Sequence, residues 1–235
     1  MKSKTLVFFV LSLLIYNKNY GQIEDNKDFA IWSSVGVKYA PIKNLKFGVE
    51  QHIRLKEQAA EVDEYFTEIQ AEFEVFKNFE IGQAFRFIRE NDNVGKKQGY
   101  EKHFRFSTDL NYNFDVKRFN LSFRLRYQNK RELDLEDGSL DTPAETLRFK
   151  TAVEYNIKKW PLDPKLAVEI FNKEREGYSL ISGAKLSRYR VTLATSYSLK
   201  KFGKFGIYYR YQKNTRIDND FQTNILGFKY SYSIN

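Results

Sequence analysis

Hydrophobic and polar positions alternate along most of this chain with a period of two. The run RFNLSFRLRYQNKR, Arg118 to Arg131, places Phe119, Leu121, Phe123, Leu125 and Tyr127 on one parity. Asn120, Ser122, Arg124, Arg126 and Gln128 occupy the other. A β-strand sends successive side chains to opposite faces, so this run predicts a strand with one greasy and one charged face. The same rule predicts strands before it. Their apolar parities run through Ile31–Tyr39, Leu45–Leu55, Tyr65–Val75, Phe79–Phe87 and Phe104–Phe114. After it come Leu147–Ile157, Leu166–Ile170, Tyr189–Tyr197, Phe205–Tyr211 and Leu226–Ile234. No helical periodicity of comparable quality appears, which makes the fold all-β.

Eleven segments are legible, each about 9–12 residues, the length of a tilted membrane-spanning strand rather than the usual soluble one. Connections alternate. Short ones fall near Lys43-Asn44, Lys77-Asn78, Val116-Lys117, Lys159 to Asp163 and Lys201 to Lys204. Longer ones fall at Glu57–Glu64, Asn91–Gly99, Glu132–Glu145, Lys173–Ser187 and Thr215–Asp220. That alternation predicts an antiparallel up-and-down transmembrane barrel with short inner turns and long outer loops. Bacterial barrels of this type have an even number of strands. With both termini at the inner rim, a long loop should follow the first strand, yet a short turn does. The expectation is therefore about 12 strands, with a short extra strand near Gln22–Asp28, or 10.

Two features choose the direction in which the faces point. Aromatic residues beside the short turns (Tyr39, Phe47, Phe79, Phe114, Phe119, Tyr155, Tyr197, Phe205, Tyr232) all lie on the apolar parity, as an interfacial girdle would. The polar parity carries tiny residues (Gly36, Gly48, Gly82, Ala84, Ala152, Ala167, Ala194, Gly206, Gly227), which make room inside a narrow barrel. The apolar face is thus expected to meet lipid and the charged face the lumen. The opposite arrangement would be a soluble exported barrel with a greasy interior, a lipocalin-like ligand binder.

The amino terminus bears on location. Lys2 and Lys4 precede an apolar run from Leu6 to Tyr16 and then Gly21, the pattern of a cleaved secretory signal. Residues 1–21 are read as that signal and 22–235 as one barrel domain. The 235-residue chain has no cysteine, which excludes disulfides and thiolate metal sites. Net charge is +9; loss of Lys2, Lys4 and Lys18 leaves about +6. An exported chain has no nucleic acid to bind. Its basic surplus belongs instead to a lumen network of Glu50, Arg54, Glu68, Glu72, Arg86, His103, Arg105, Arg124, Arg126, Arg148, Arg188, Arg190 and Arg210. Acids of strands 2–4 are expected to pair with the arginines across the lumen, either plugging it or leaving a narrow, anion-favouring passage.

Catalytic signals are weak. His103, Ser107 and Asp109 share a face, but His103 and Ser107 lie four positions apart, roughly 13 Å along a strand, too far for a nucleophile and its base. A histidine paired with a serine on a neighbouring strand is the alternative, a membrane-embedded lipid-acting enzyme. Asp134, Glu136, Asp137 and Gly138 lack the ligand spacing of a calcium loop. No enzyme activity, metal or cofactor is expected.

The order of the segments FAIWSSVGVKY, LKFGVEQHIRL, EYFTEIQAEFEV, EKHFRFSTDLNY, FRLRYQNKR, LRFKTAVEYNI, LAVEIF, RYRVTLATSY and ILGFKYSYSIN resembles the domain of unknown function 2490 family. Each piece alone is a generic barrel strand; their succession carries the resemblance, over nearly all of residues 22–235. The resemblance implies a Bacteroidetes-type outer-membrane β-barrel. It implies no activity and no functional residue. Outer-membrane lipid, lipopolysaccharide and the barrel-assembly machinery are the implied partners.

Overall fold

The structure is a computed structural model that describes residues 26–92, 99–133, 143–173, 185–215 and 220–234. The proposed signal peptide and the core of the Asp134–Gly138 loop lie outside these residues. Eleven strands form one closed barrel: β1 (Lys27–Ile42), β2 (Leu45–Lys56), β3 (Glu61–Phe76), β4 (Phe79–Asp92), β5 (Gly99–Val116) and β6 (Phe119–Glu132). They continue as β7 (Ala144–Tyr155), β8 (Lys165–Lys173), β9 (Lys185–Ser198), β10 (Lys204–Asn214) and β11 (Gln222–Ile234). One 3-10 turn, Lys200–Phe202, interrupts the β9–β10 connection. All eleven segments legible in the sequence are strands, and each keeps its predicted register of faces.

The strand count corrects the even-number expectation. Ten neighbouring pairs are antiparallel, but the barrel closes between β1 and β11 in parallel register, from Lys27 opposite Gln222 to Tyr39 opposite Ile234. In an up-and-down sheet the first and eleventh strands run the same way, so closure must be parallel. No extra strand is needed before β1; Lys27 and Asp28 already belong to it. The start of β1 consequently lies at the rim of the longer connections and the end of β11 at the rim of the short turns. This removes the conflict that a short turn after the first strand had posed.

Strands reach further into one expected loop than alternation alone showed. The predicted Glu57–Glu64 loop shrinks to the four-residue turn between β2 and β3. Glu57, Gln58 and Ala59 all adopt positive φ there (53°, 57° and 64°). The Asp28 carboxylate accepts the Glu57 and Gln58 amides at 3.1 and 2.8 Å, tying the start of β1 to this turn. At the opposite rim the tight hairpin turns place Asn78 (φ 73°) and Lys117 (φ 56°) in the left-handed region.

The outward face is apolar around the whole circumference. Register lines up Val37, Val49, Ile69, Phe85 and Phe106 across β1 to β5. It then aligns Leu110, Leu125, Phe149 and Ile170 across β5 to β8, and Leu166, Leu193, Tyr209, Leu226 and Ile31 from β8 back to β1. Near the short turns Tyr39 faces Phe47, Phe119 faces Tyr155 with ring centroids 4.8 Å apart, and Phe205 faces Tyr197. The greasy interior of the lipocalin-like alternative is therefore not the arrangement found. Among the described residues no helix is long and apolar enough to cross a membrane.

Candidate functional site

The lumen is the chemically distinctive part of the molecule. Alternation turns the even positions of β1–β4, β6, β7, β9 and β10, and the odd positions of β5, β8 and β11, inward. The inward side chains of the eleven strands therefore meet in one lumen. A cavity of about 780 Å³ occupies it. Its lining runs from Lys38, Glu72 and Asn111 near the short turns to Asp63, Ala144 and Ser187 near the longer connections. Since roughly 10–15 Å³ of such volume holds a water, the space can be wet throughout.

Of the predicted network, Glu50, Arg54, Glu68, Glu72, Arg86, Arg105, Arg124, Arg126, Arg148, Arg188, Arg190 and Arg210 line this cavity. His103 does not; it turns inward on β5 and lies 3.3 Å from Glu101 and 3.5 Å from Glu90.

The pairing differs from the expected cross-lumen plug. Arg126 makes a bidentate pair with Asp109, its register partner on β5. Arg86 pairs with Glu68, its register partner on β3, and Arg54 with Glu64, its partner on β2–β3. Arg124 reaches Glu169 at 2.7 Å, not an acid of β2–β4. Strands lie about 4.8 Å apart, so an inward arginine can reach a carboxylate on a neighbouring strand. Longer reaches still follow the wall: Lys229 holds Glu50 at 2.7 and 2.8 Å past β1, and Lys130 holds Glu90 past β5.

Glu169 is the hub of the basic wall. One of its oxygens accepts Arg124 at 2.7 Å and Arg148 at 2.8 and 3.2 Å; the other lies 3.8 Å from Arg190. It is only 6% exposed. Arg148 also donates to Gln128, Arg190 to Gln212, Arg188 to Asn214 and Arg210 to Thr192, at 2.7 to 3.0 Å. Neutral acceptors thus satisfy guanidinium protons where acids run out.

Inward aromatic rings separate the cations, Tyr208 among them with Arg210 over its face at 4.7 Å. Trp32 has Arg54 over its face at 3.8 Å and Arg190 and Arg210 at 5.2 Å. Phe171 carries Arg148 and Arg190, each at 4.5 Å. Phe66 stacks on His52 at 4.3 Å and carries Arg86 at 4.3 Å. Such contacts attract a cation to a ring face without neutralising it. Fully buried Phe66 and Ile225, with Ile88 and Phe171, narrow the lumen. Gly227 leaves the space for the Tyr208 ring: a Cβ there would come within 1.9–2.3 Å of ring carbons.

Several of these residues were outside the predicted network. Glu64, Asp109, Glu169 and Lys229 carry charge, and Trp32, Phe66, Phe171 and Tyr208 carry rings. Parity alone points all of them inward, so that signal was present; their importance depends on register, which parity does not supply. The two histidines do not meet a serine among the described residues. His52 lies 3.2 Å from Glu50, and His103 faces Glu90 and Glu101. No group of three metal-ligating side chains converges among the described residues.

The balance of charge is lopsided. Thirteen lysines and arginines line the cavity against eight aspartates and glutamates. Among the cavity-lining residues, β2 to β4 hold most of the acids, and β6 to β10 offer Glu169 alone against Arg124, Arg126, Lys130, Arg148, Lys150, Arg188, Arg190 and Arg210.

No curated protein matches the chain significantly. A family model described as a protein of unknown function, DUF2490, matches residues 29–223, from the third residue of β1 into the start of β11. The closed eleven-stranded barrel with its charged interior is therefore a member of the DUF2490 family.

Proposed function

We propose that this barrel sits in the outer membrane and provides a narrow, water-filled passage that favours small anions. The observation that carries the reading is the cavity of about 780 Å³ along the lumen, lined by thirteen cationic and eight acidic side chains. A surplus of fixed positive charge inside a low-dielectric wall raises the local concentration of anions and repels cations.

The membrane location rests on the outer face. Val49, Ile69, Phe87 and Leu193 are 49%, 46%, 52% and 58% exposed, in a belt that closes on itself. Soluble monomers rarely expose a contiguous apolar patch beyond a few hundred Å². Strands of 9 to 18 residues are long enough to cross a bilayer when tilted. On this reading the partners are membrane lipid, lipopolysaccharide at the loop rim and the assembly machinery that inserts barrels. The role is non-catalytic, in keeping with histidines that face carboxylates rather than a nucleophile.

The test is halide entry into phospholipid vesicles that contain the refolded protein and a chloride-quenched dye. Quenching faster than in empty vesicles, with slower entry of a monovalent cation of similar size, is the expected result. Recovery of the cellular protein from the soluble fraction without detergent, or vesicles no more permeable than empty ones, contradicts the reading.

A further inference from the structure

The basic wall contains one place where cations outnumber every available acid. Register sets Arg124, Lys150, Glu169 and Arg190 side by side on β6 to β9. The next inward row toward the short turns is Ser122, Ala152, Ala167 and Thr192, continued by Arg210 on β10. Small side chains thus leave a floor beneath a rim of long cations, and Lys150, Arg210 and Arg124 all line the cavity over it.

Glu169 is already shared by three guanidiniums and has nothing left for Lys150 or Arg210. Among the described residues no carboxylate lies within ion-pair distance of either. Arg210 directs its Nε at the Thr192 hydroxyl, 3.0 Å away, which leaves its terminal nitrogens for another acceptor. Arg124 uses one terminal nitrogen on Glu169, while its Nε is buried without a hydrogen-bond partner. Three half-buried cations around one place, with the Arg124 Nε itself buried and unpartnered, suit an acceptor with several oxygens and more than one negative charge. Planar guanidinium forks with an ammonium point charge match a tetrahedral oxyanion.

We propose that Lys150, Arg210 and Arg124 form a binding site for a phosphate group, either inorganic phosphate or a phosphate monoester small enough for the lumen. The site rests on the reading of the lumen as a wet, anion-admitting passage. It would hold a doubly charged ion longer than chloride, at a position from which the ion can leave toward either rim.

Chloride current through single barrels in a planar bilayer, titrated with inorganic phosphate and separately with glycerol phosphate, tests the site. Binding heat is measured in parallel on the detergent-folded barrel. Both experiments should show saturable binding: phosphate should reduce the chloride current and release or absorb heat. Lys150→Ala and Arg210→Gln should each weaken that affinity by about tenfold, the loss expected of one charge-assisted contact. Lys38→Ala, a lumen cation away from the floor, should leave phosphate affinity unchanged. Inhibition by inorganic phosphate alone identifies the free ion; inhibition by both identifies the phosphate group. Chloride current that ignores both, with no binding heat, overturns the site and leaves the passage standing. Absence of chloride current with phosphate heat retained overturns the passage alone. Equal affinity in both variants and the parent overturns the assigned residues.

Discussion

Glu169→Gln is expected to lower the unfolding free energy of the barrel by about 3–5 kcal/mol, the loss typical of stranding buried charge. The amide keeps the shape and can still accept hydrogen bonds. It cannot supply the countercharge for Arg124, Arg148 and Arg190, which approach the carboxylate at 2.7, 2.8 and 3.8 Å. Arg148 and Arg190 are each 8% exposed, so water replaces little of what is lost. Glu154 is the contrast. It pairs with Lys165 at 3.1 Å with its side chain 29% exposed, and Glu154→Gln should cost no more than about 1 kcal/mol. Urea unfolding of the refolded barrel in vesicles, followed by the heat-sensitive gel migration of closed barrels, measures both. Equal small effects would remove Glu169 as the hub of the wall.

Leu125→Arg should produce the second large effect. Leu125 points outward from β6, between Leu110 and Phe149, and is 39% exposed. In a lipid belt an arginine near mid-height costs about 2–4 kcal/mol. In a soluble protein the same exposed substitution would stay within about 0.5 kcal/mol. The refolded variant in phospholipid vesicles, compared with the parent by urea titration, separates the two. A shift inside the smaller range would place this face in water.

Parity carried most of the architecture, and its failures are instructive. Leu45 to Leu55 and Phe119 to Tyr127 alternate so cleanly that strand and facing were both legible. Closure was not, because a rule about even strand numbers competed with the observed short turn after Tyr39. The turn was the better guide: an odd count follows once β1 pairs in parallel with β11. The inward rings of Phe66 and Phe171 were obscured because a phenylalanine beside an apolar run looks like more of the same face. Arg126 shows where the site reading ran out. Its inward direction follows from its neighbours Leu125 and Tyr127. Its partner Asp109 follows only from the β5–β6 register, which hairpin length and packing set together. Glu169 has the same history: one acid in LAVEIF acquires three arginines only when β6, β7 and β9 are brought beside it.

The lining charge of the lumen decides the sign of the ion it admits. Reversal potential in a planar bilayer under a potassium chloride gradient measures it. The thirteen cations and eight acids of the lining predict a reversal potential displaced toward the chloride equilibrium value. That displacement should shrink at high salt, where fixed charge is screened within a few ångströms. A barrel that is folded and inserted yet silent, or one whose reversal potential lies on the potassium side, would contradict an anion-favouring passage.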